Sequence, residues 1–511
     1  MNAIIKKADE IGLCISVVTS DMGSSNRAMW KSYGVKCGKH EDLVCSINHP
    51  VVKDDRLWFV ADPPHLLKNL KCMLVRNKYF TIAEDIVRRN NLNHNTVSLA
   101  PVRHLIEIQA NKHLKLAPRL SANLIDQNHF DKMNVAQAVH FFSKSVTAGI
   151  RFIVEQAQQG DSELSKGINK DQQAQYLTTA WFFDQVRHWF DLMSSRHPSL
   201  GLSKVSSTKY EELTTSLRHF IYLIKNISIG TGAWKPVQSG ILLATTSVLQ
   251  IADNLLSSHS FLLTGRLSQD CLENLFSSVR YRNPNPTPRE FRYALKTITI
   301  AQFLTISASS NYDKDDRQYI AEFLDTSCSS EVSDQADDVL LSLLDSEEQL
   351  SQDEANSLYY LAGYTLQSVK KQGQTCEECF SAAKDNDRVS GASNKPVAYT
   401  SLREFKNVNF LCYVNDAVYN QFVLWEQVVR DQLPHIKSTP NIAQRLYDNC
   451  MLHTELSLPP CHSLVNKLCR KFLNARLHFY AKKLSKDRSV QLAGALGSKS
   501  TGMRLVAKNI K

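Results

Sequence analysis

The hydrophobic pattern along this chain changes period several times, and each change predicts a change of structure. Residues 2–12 space their apolar side chains as a short helix does, and residues 13–20 (LCISVVTS) follow as an apolar, β-branched run that ends on Asp21. A second apolar run, 57–61, ends on Asp62; Pro63 and Pro64 stop it, and HLLKNLKCML then carries the spacing of a basic amphipathic helix. The pattern thus predicts two buried strands, each closed by an aspartate. Strand ends of this kind are where α/β sheets bind ligands, although aspartate also caps helices there. From about 76 to 258 the period is helical, with long segments at 132–158, 172–194, 209–226 and 239–257 and turns such as NISIGTGAWKP between them. Residues 239–263 are the most apolar stretch, but Asp253, His259 and many Ser and Thr make it a buried helix rather than a membrane span. Helices are predicted again at 266–280 and 289–309, separated by the turn-rich NPNPTP.

Charge divides the remainder of the chain. Between Asn311 and Glu354 fourteen acids face only Lys314 and Arg317, which predicts a linker, and a helical C-terminal region begins at Ser357. From Arg470 to Lys511 there are eleven Lys or Arg and a single acid, so this tail carries the whole net charge of +10. Such a tail suits nucleic-acid phosphates or a nuclear-import signal, and equally a solvated, frayed terminus. At 511 residues the chain is long enough for several cores, and 43% hydrophobic with 22% charged residues is ordinary for a folded protein. The first residues, with Lys6, Lys7, Asp9 and Glu10, lack the apolar core of a signal peptide. Twelve scattered cysteines fit reduced thiols in a cytosolic or nuclear compartment, and the nucleus is the expected location.

The residues that carry chemistry fall into three groups. Asp270 and Glu273 lie three apart on the helix QDCLENLFSSVR, with Leu272, Leu275, Phe276 and Val279 as its expected buried side. Hard divalent cations take oxygen ligands, and two-metal phosphoryl transfer needs carboxylates converging from separate elements, which Asp21, Asp62 and Glu273 supply if the helical block is an insertion. An acidic pair on a helix is also an ordinary solvated face. Cys376 and Cys379 have the spacing of half a zinc site, which Cys450 with His453, or Cys461 with His462, would complete; free thiols in helical packing are the alternative. No Gly-x-x-x-x-Gly-Lys-Ser/Thr loop occurs, so no phosphate-cradling motif announces a nucleotide site.

Three strings in order, TSDMGSSN (19–26), ADPPHLLKNLK (61–71) and SQDCLENLFSSVR (268–280), resemble P-element-type transposases and their THAP-domain relatives. The resemblance continues through HFDKMNVAQAVHFFSKSV, WFFDQVRHWFDLMSSR and YLAGYTLQSVKK. It implies an α/β plus all-α chain: a ribonuclease-H-like catalytic domain split by a helical insertion that binds GTP, followed by a helical C-terminal region. The expected divisions are 1–75 and 259–310 for the two catalytic parts, 76–258 for the insertion, 311–353 for the acidic linker and 354–511 for the C-terminal region. The resemblance also implies Mg²⁺-dependent cut-and-paste chemistry on transposon-end DNA. Asp21 matches the second catalytic aspartate and Glu273 the catalytic glutamate, with Asp270 as its acidic neighbour and Asp62 and His65 flanking. Asp191 matches an acid that holds the nucleotide, and Lys132 and Asp126 fall in or near the other nucleotide string. Arg187 stands where the family often has Asn, and Trp181, Phe182, Trp189 and Phe190 read as helix-packing residues. The family's first catalytic aspartate lies on an earlier strand than the one ending at Asp21. This chain begins too late to hold it, or the THAP module, so autonomous transposition is not expected unless a complementing chain supplies the missing corner. A domesticated DNA- or protein-binding regulator without catalysis is the other class.

Overall fold

The computed structural model describes residues 1–110, 112–126, 135–160, 168–281, 283–304, 350–385, 396–403, 411–436, 441–459 and 462–495. They form two compact units, one built from Met1–Glu107 and Arg119–Asp338, the other from Ile108–Pro118 and Val339–Lys511.

The first unit opens with α1 (Asn2–Glu10), β1 (Val17–Ser20), α2 (Ser24–Ser32), β2 (Ser46–Asn48) and β3 (Arg56–Ala61). The strands form a sheet in the order β1-β3-β2, with β1 parallel and β2 antiparallel to β3. The expected strand at 13–20 is cut to its last four residues, Leu13 is exposed, and only Ser20 of β1 is buried, because β1 has one neighbour among the described residues. Central β3 is buried from Leu57 to Ala61. Asp62 then caps α3 (Pro63–Asn77), whose first two positions are the prolines, and Lys78 ends it in the left-handed conformation.

The stretch 76–258 is not purely helical. β4 (Tyr79–Ile82), β5 (Thr96–Ser98) and β6 (Ile227–Ile229) form a second antiparallel sheet, with Phe80 opposite both Val97 and Ile229. β6 lies inside the segment whose glycines predicted only a turn. Around this sheet are α4 (Glu84–Arg89), α5 (Ala100–Ile108), α6 (Val135–Phe141), α7 (Lys144–Gln159), α8 (Lys170–Met193), α9 (Ser207–Lys225) and α10 (Pro236–Leu255). The expected helix at 132–158 divides at Phe142-Ser143 into α6 and α7, and 132–134 lie outside the described residues. α8 starts on a capping box between Asn169 and Gln172. α10 is buried on most of its surface and packs on β3 and α9; the Ser247 hydroxyl donates to the Phe59 carbonyl at 2.6 Å. Gly240 lets α10 come this close, since a Cβ there would sit 2.5 Å from Leu66 and 2.8 Å from Met22. Of the four aromatics expected to pack between helices, Phe182, Trp189 and Phe190 are buried and Trp181 is half-buried. Two more helices follow, α11 (Asp270–Arg280) and α12 (Pro288–Leu304).

The second unit is helical: α13 (Gln352–Lys371), α14 (Glu377–Ala383), α15 (Ala398–Leu402), α16 (Asp416–Ile436), α17 (Ile442–Leu452) and α18 (Leu464–Ala495). Its core gathers Tyr359, Leu366, Phe422, Trp425 and Phe472. A buried charge network crosses that core. Glu426 accepts from Arg430 and Arg476 at 2.7–3.0 Å, and Glu354 accepts from Arg430 at 2.8 Å and from the His113 and Leu114 amides. Glu354 is thereby a buried partner rather than part of a solvated acidic run. Most of that run, and the end of the basic tail, lie outside the described residues. No helix among the described residues is long and apolar enough to cross a membrane.

Candidate active site at the strand ends

Ser20 lies opposite Ala61 in the parallel pair, and the ladder runs one step further, with the Asp62 amide donating to the Ser20 carbonyl at 3.0 Å. Asp21 and Asp62 therefore leave neighbouring strands at one level, at carboxyl ends where α/β sheets gather ligands. Their surroundings separate their roles. Asp62 is 1% exposed and its oxygens are occupied: Oδ2 meets the His65 amide at 3.0 Å and His65 Nδ1 at 2.6 Å, and Oδ1 accepts the Gln269 amide at 2.7 Å. It caps α3 and tethers the start of α11.

Asp21 is half-buried. Its Oδ1 accepts the Gly23 amide at 2.8 Å and the Asn26 side-chain amide at 2.7 Å. The Gly23 bond first, then the Asn26 bond, hold this carboxyl below the usual range against the opposing effect of burial. Its Oδ2 has no hydrogen-bond partner among the described residues.

The segment before α11 lies across the same strand ends. The Thr19 hydroxyl donates to the Leu267 carbonyl at 3.2 Å, and the Gln269 amide reaches Asp62. One turn on, Glu273 Oε1 stands 3.4 Å from His65 Nε2. The His65 ring thus bridges Asp62 and Glu273, and its pKa is raised, chiefly by the hydrogen bond to Asp62 and further by the charge of Glu273, while burial opposes. Asp21 is also within the electrostatic reach of His65 and Lys68. Two strand ends and two helices, α3 and α11, therefore bring Asp21, Asp62, His65 and Glu273 into one charged cluster.

Asp270 parts from this cluster and pairs with Arg196 at 2.5 Å. The apolar side expected of α11 is also thinner than its spacing suggests: Val279 is buried, Leu275 and Phe276 are half-buried, and Leu272 is 43% exposed. Among the described residues α11 leans on α12, with Phe276 6.2 Å from Phe291, and one helix neighbour covers only part of an amphipathic face. Lys68, Asn26 and Arg196 are the residues that spacing alone did not single out. Asn26 had a signal, because Asp-x-Gly-x-x-Asn is the composition of a hydrogen-bonded turn; the partner of Arg196 is remote in sequence and had none.

The residues expected to hold a nucleotide are engaged elsewhere or lie outside the described residues. Both oxygens of Asp191 are taken by Arg187 one turn earlier, at 2.8 and 2.9 Å. Asp126 lies 3.5 Å from Arg103, and Lys132 is outside the described residues. In the second unit Cys379 neighbours His462 at 3.9 Å, whereas Cys450 is a free thiol buried in the core with Cys469.

Comparison with known proteins bears on this arrangement. The family model of the TNP-like GTP-binding insertion domain matches residues 65–204, and that of the TNP-like RNase H C-terminal domain matches residues 266–296. The transposable element P transposase of Drosophila melanogaster is 24% identical over 308 residues, 59% of this chain and 37% of that protein. This chain is P-element-transposase-like. It spans little more than a third of that relative's length. The Drosophila P element transposase strand transfer complex covers 60% of this chain and 64% of the solved one, at 21% identity and a TM-score of 0.47. The RNase H match takes in the segment that delivers Glu273, and the insertion match starts at His65.

Proposed function

We propose that this P-element-type, transposase-like chain belongs to a cut-and-paste DNA transposition machinery, with Asp21 and Glu273 as metal-binding carboxylates at the strand ends. The observation that carries the reading is that His65 meets Glu273, more than two hundred residues later in sequence, while its charge also reaches Asp21. The residues fit Mg²⁺ on their own chemistry. Asp21 is held ionised through one oxygen while the other is left open, and Glu273 is exposed on α11 with Oε1 3.4 Å from His65 Nε2, the same imidazole whose charge reaches Asp21. Bound there, Mg²⁺ would supply Lewis-acid stabilisation of charge on a phosphoryl group. Asp62 is spent as cap and tether, so its part is to place His65 and the start of α11.

Mn²⁺ binding followed by electron paramagnetic resonance tests the assignment. Asp21→Asn and Glu273→Gln are each expected to weaken binding at least ~10-fold, the loss of about 1.4 kcal/mol from one charged ligand. Unchanged Mn²⁺ affinity in both variants would refute the metal site. The 511-residue chain alone is expected to leave transposon-end DNA uncut, because the resemblance calls for a third acid beyond these two. Cleavage by the isolated chain that disappears in Glu273→Ala would overturn that expectation.

The helical insertion is proposed to bind GTP, on the support of the family model that covers it. Asp191 would accept guanine N–H donors only after its carboxylate leaves Arg187. A partly exposed i,i+4 ion pair on a helix is worth about 0.3–0.5 kcal/mol, so this latch is weak. Calorimetry with GTP and ATP is the direct test, and absence of heat at millimolar nucleotide removes the ligand.

A further inference from the structure

We propose that Cys376, Cys379 and His462 bind a structural zinc ion that clamps α14 to the start of α18. One ligand atom from each of the three lies within 4.8 Å of the others, and Cys379 Sγ is 3.9 Å from His462 Nδ1. A tetrahedral zinc with Zn–S of ~2.3 Å and Zn–N of ~2.0 Å spaces its ligand atoms about 3.5–3.8 Å apart. Drawing this set onto an ion therefore takes shifts of about an ångström or less.

The backbone is already arranged for two thiolates. Cys376 precedes the first turn of α14, and the Cys379 amide donates to the Cys376 sulfur at 3.5 Å. Cys379 is fully buried, and Phe380 and Ala383 of the same seven-residue helix belong to the core of the second unit. A helix this short has little stability of its own. An ion joining it to a residue more than eighty positions later in the sequence would turn metal affinity into folding energy for this unit. Borderline-soft zinc suits two thiolates and an imidazole, whereas Mg²⁺ and Ca²⁺ take oxygen ligands. The geometry also chooses between the two second halves the sequence offered: Cys450 is a free thiol buried in the core with Cys469, and His462 is the residue beside Cys379. Cys461 lies outside the described residues and is no part of the proposal.

The experiment uses the full 511-residue chain, purified under reducing conditions without chelator, with metal content measured by mass spectrometry. About one zinc per chain is expected, falling in Cys379→Ser and His462→Ala and retained in Cys271→Ser, a control at an exposed cysteine of the other unit. Cobalt exchanged into the wild type is expected to give a tetrahedral spectrum with thiolate charge-transfer bands that weaken in Cys376→Ser. Because a variant can fail to fold for other reasons, the wild type is also treated with chelator. Hydrogen-exchange protection in α14 and at the start of α18 is expected to fall and to return with Zn²⁺ but not Mg²⁺. A folded wild type with no zinc, zinc kept in both ligand variants, protection indifferent to the chelator, or a Cys376–Cys379 disulfide in the reduced preparation each overturns the proposal.

Discussion

At the scale of single residues, partners decide function more than residue type does. Asp21 and Asp62 end neighbouring strands, yet Asp62 is saturated by three donors and Asp21 keeps one oxygen open. Asp191 is likewise defined by Arg187. Replacing that arginine with asparagine removes the competing cation and leaves a group that both donates and accepts. Arg187→Asn is expected to strengthen GTP binding severalfold while leaving ATP unchanged; calorimetry showing equal or weaker GTP binding would speak against Asp191 as the base-reading acid. Trp189 gives a residue-scale prediction about stability. Its indole N–H donates at 2.9 Å to the Thr245 hydroxyl in a fully buried setting. Thr245→Val keeps the shape and strands that donor, so a loss of about 1–3 kcal/mol is expected in denaturant unfolding. A loss below a few tenths would mean that the indole finds another acceptor.

At the scale of elements, close approach of backbones fixes what side chains are allowed. Gly363 lies in mid-α13, where a Cβ would come 2.0 Å from the Cys412 carbonyl oxygen. Alanine is the better helix former by about 1 kcal/mol, but the contact is with rigid backbone, and overpacking costs about 1–3 kcal/mol or more. Gly363→Ala is therefore expected to lower the melting temperature. A rise would show that the 411–414 segment shifts aside at little cost. The same scale explains which elements could be read in advance. The long amphipathic runs of α8, α9 and α10 declare themselves by their period, and Asp62-Pro63-Pro64 announces the start of α3. β4, β5 and β6 have three or four residues each, too few for a period-2 pattern to stand out, and they form because Phe80, Val97 and Ile229 meet across the sheet. β1 is shorter than its apolar run for a related reason: only the residues that pair with β3 become strand.

At the scale of the whole molecule, the two units hold themselves together differently. The first relies on apolar packing of α10 on β3, and the second adds the buried network of Glu354, Glu426, Arg430 and Arg476. Burial alone would raise the Glu354 carboxyl, but Arg430 and the bonds from Leu114 and Ser351 bring it below its ordinary value. A carboxylate depressed in the folded state contributes stability above its unfolded pKa, near ~4.3, and loses it as pH falls through the folded value. The second unit is thus expected to lose hydrogen-exchange protection in α13 and α16 as pH drops below about 4. In Glu354→Gln this unit should be less stable at neutral pH, with a flatter dependence over that range. An unchanged acid profile in the variant would place the acid-sensitive group elsewhere.

The sequence by itself determined the local matters: helices with long apolar periods, the prolines that end β3 and open α3, and the strings around Asp21, Asp62 and Glu273 that resemble the P-element type. These are legible because they depend on neighbours within a few positions. Only the tertiary structure decided that Asp62 is tether and Asp21 the open carboxylate, that Glu273 turns to His65 while Asp270 turns to Arg196, and that Cys379 meets His462 rather than Cys450. Asp21 is set by Gly23 and Asn26 close by, but the tether of Asp62 and the choices of Glu273, Asp270 and Cys379 each depend on a partner tens to hundreds of residues away. Spacing along the chain fixes which side chains share a helix face, and only packing fixes what that face meets.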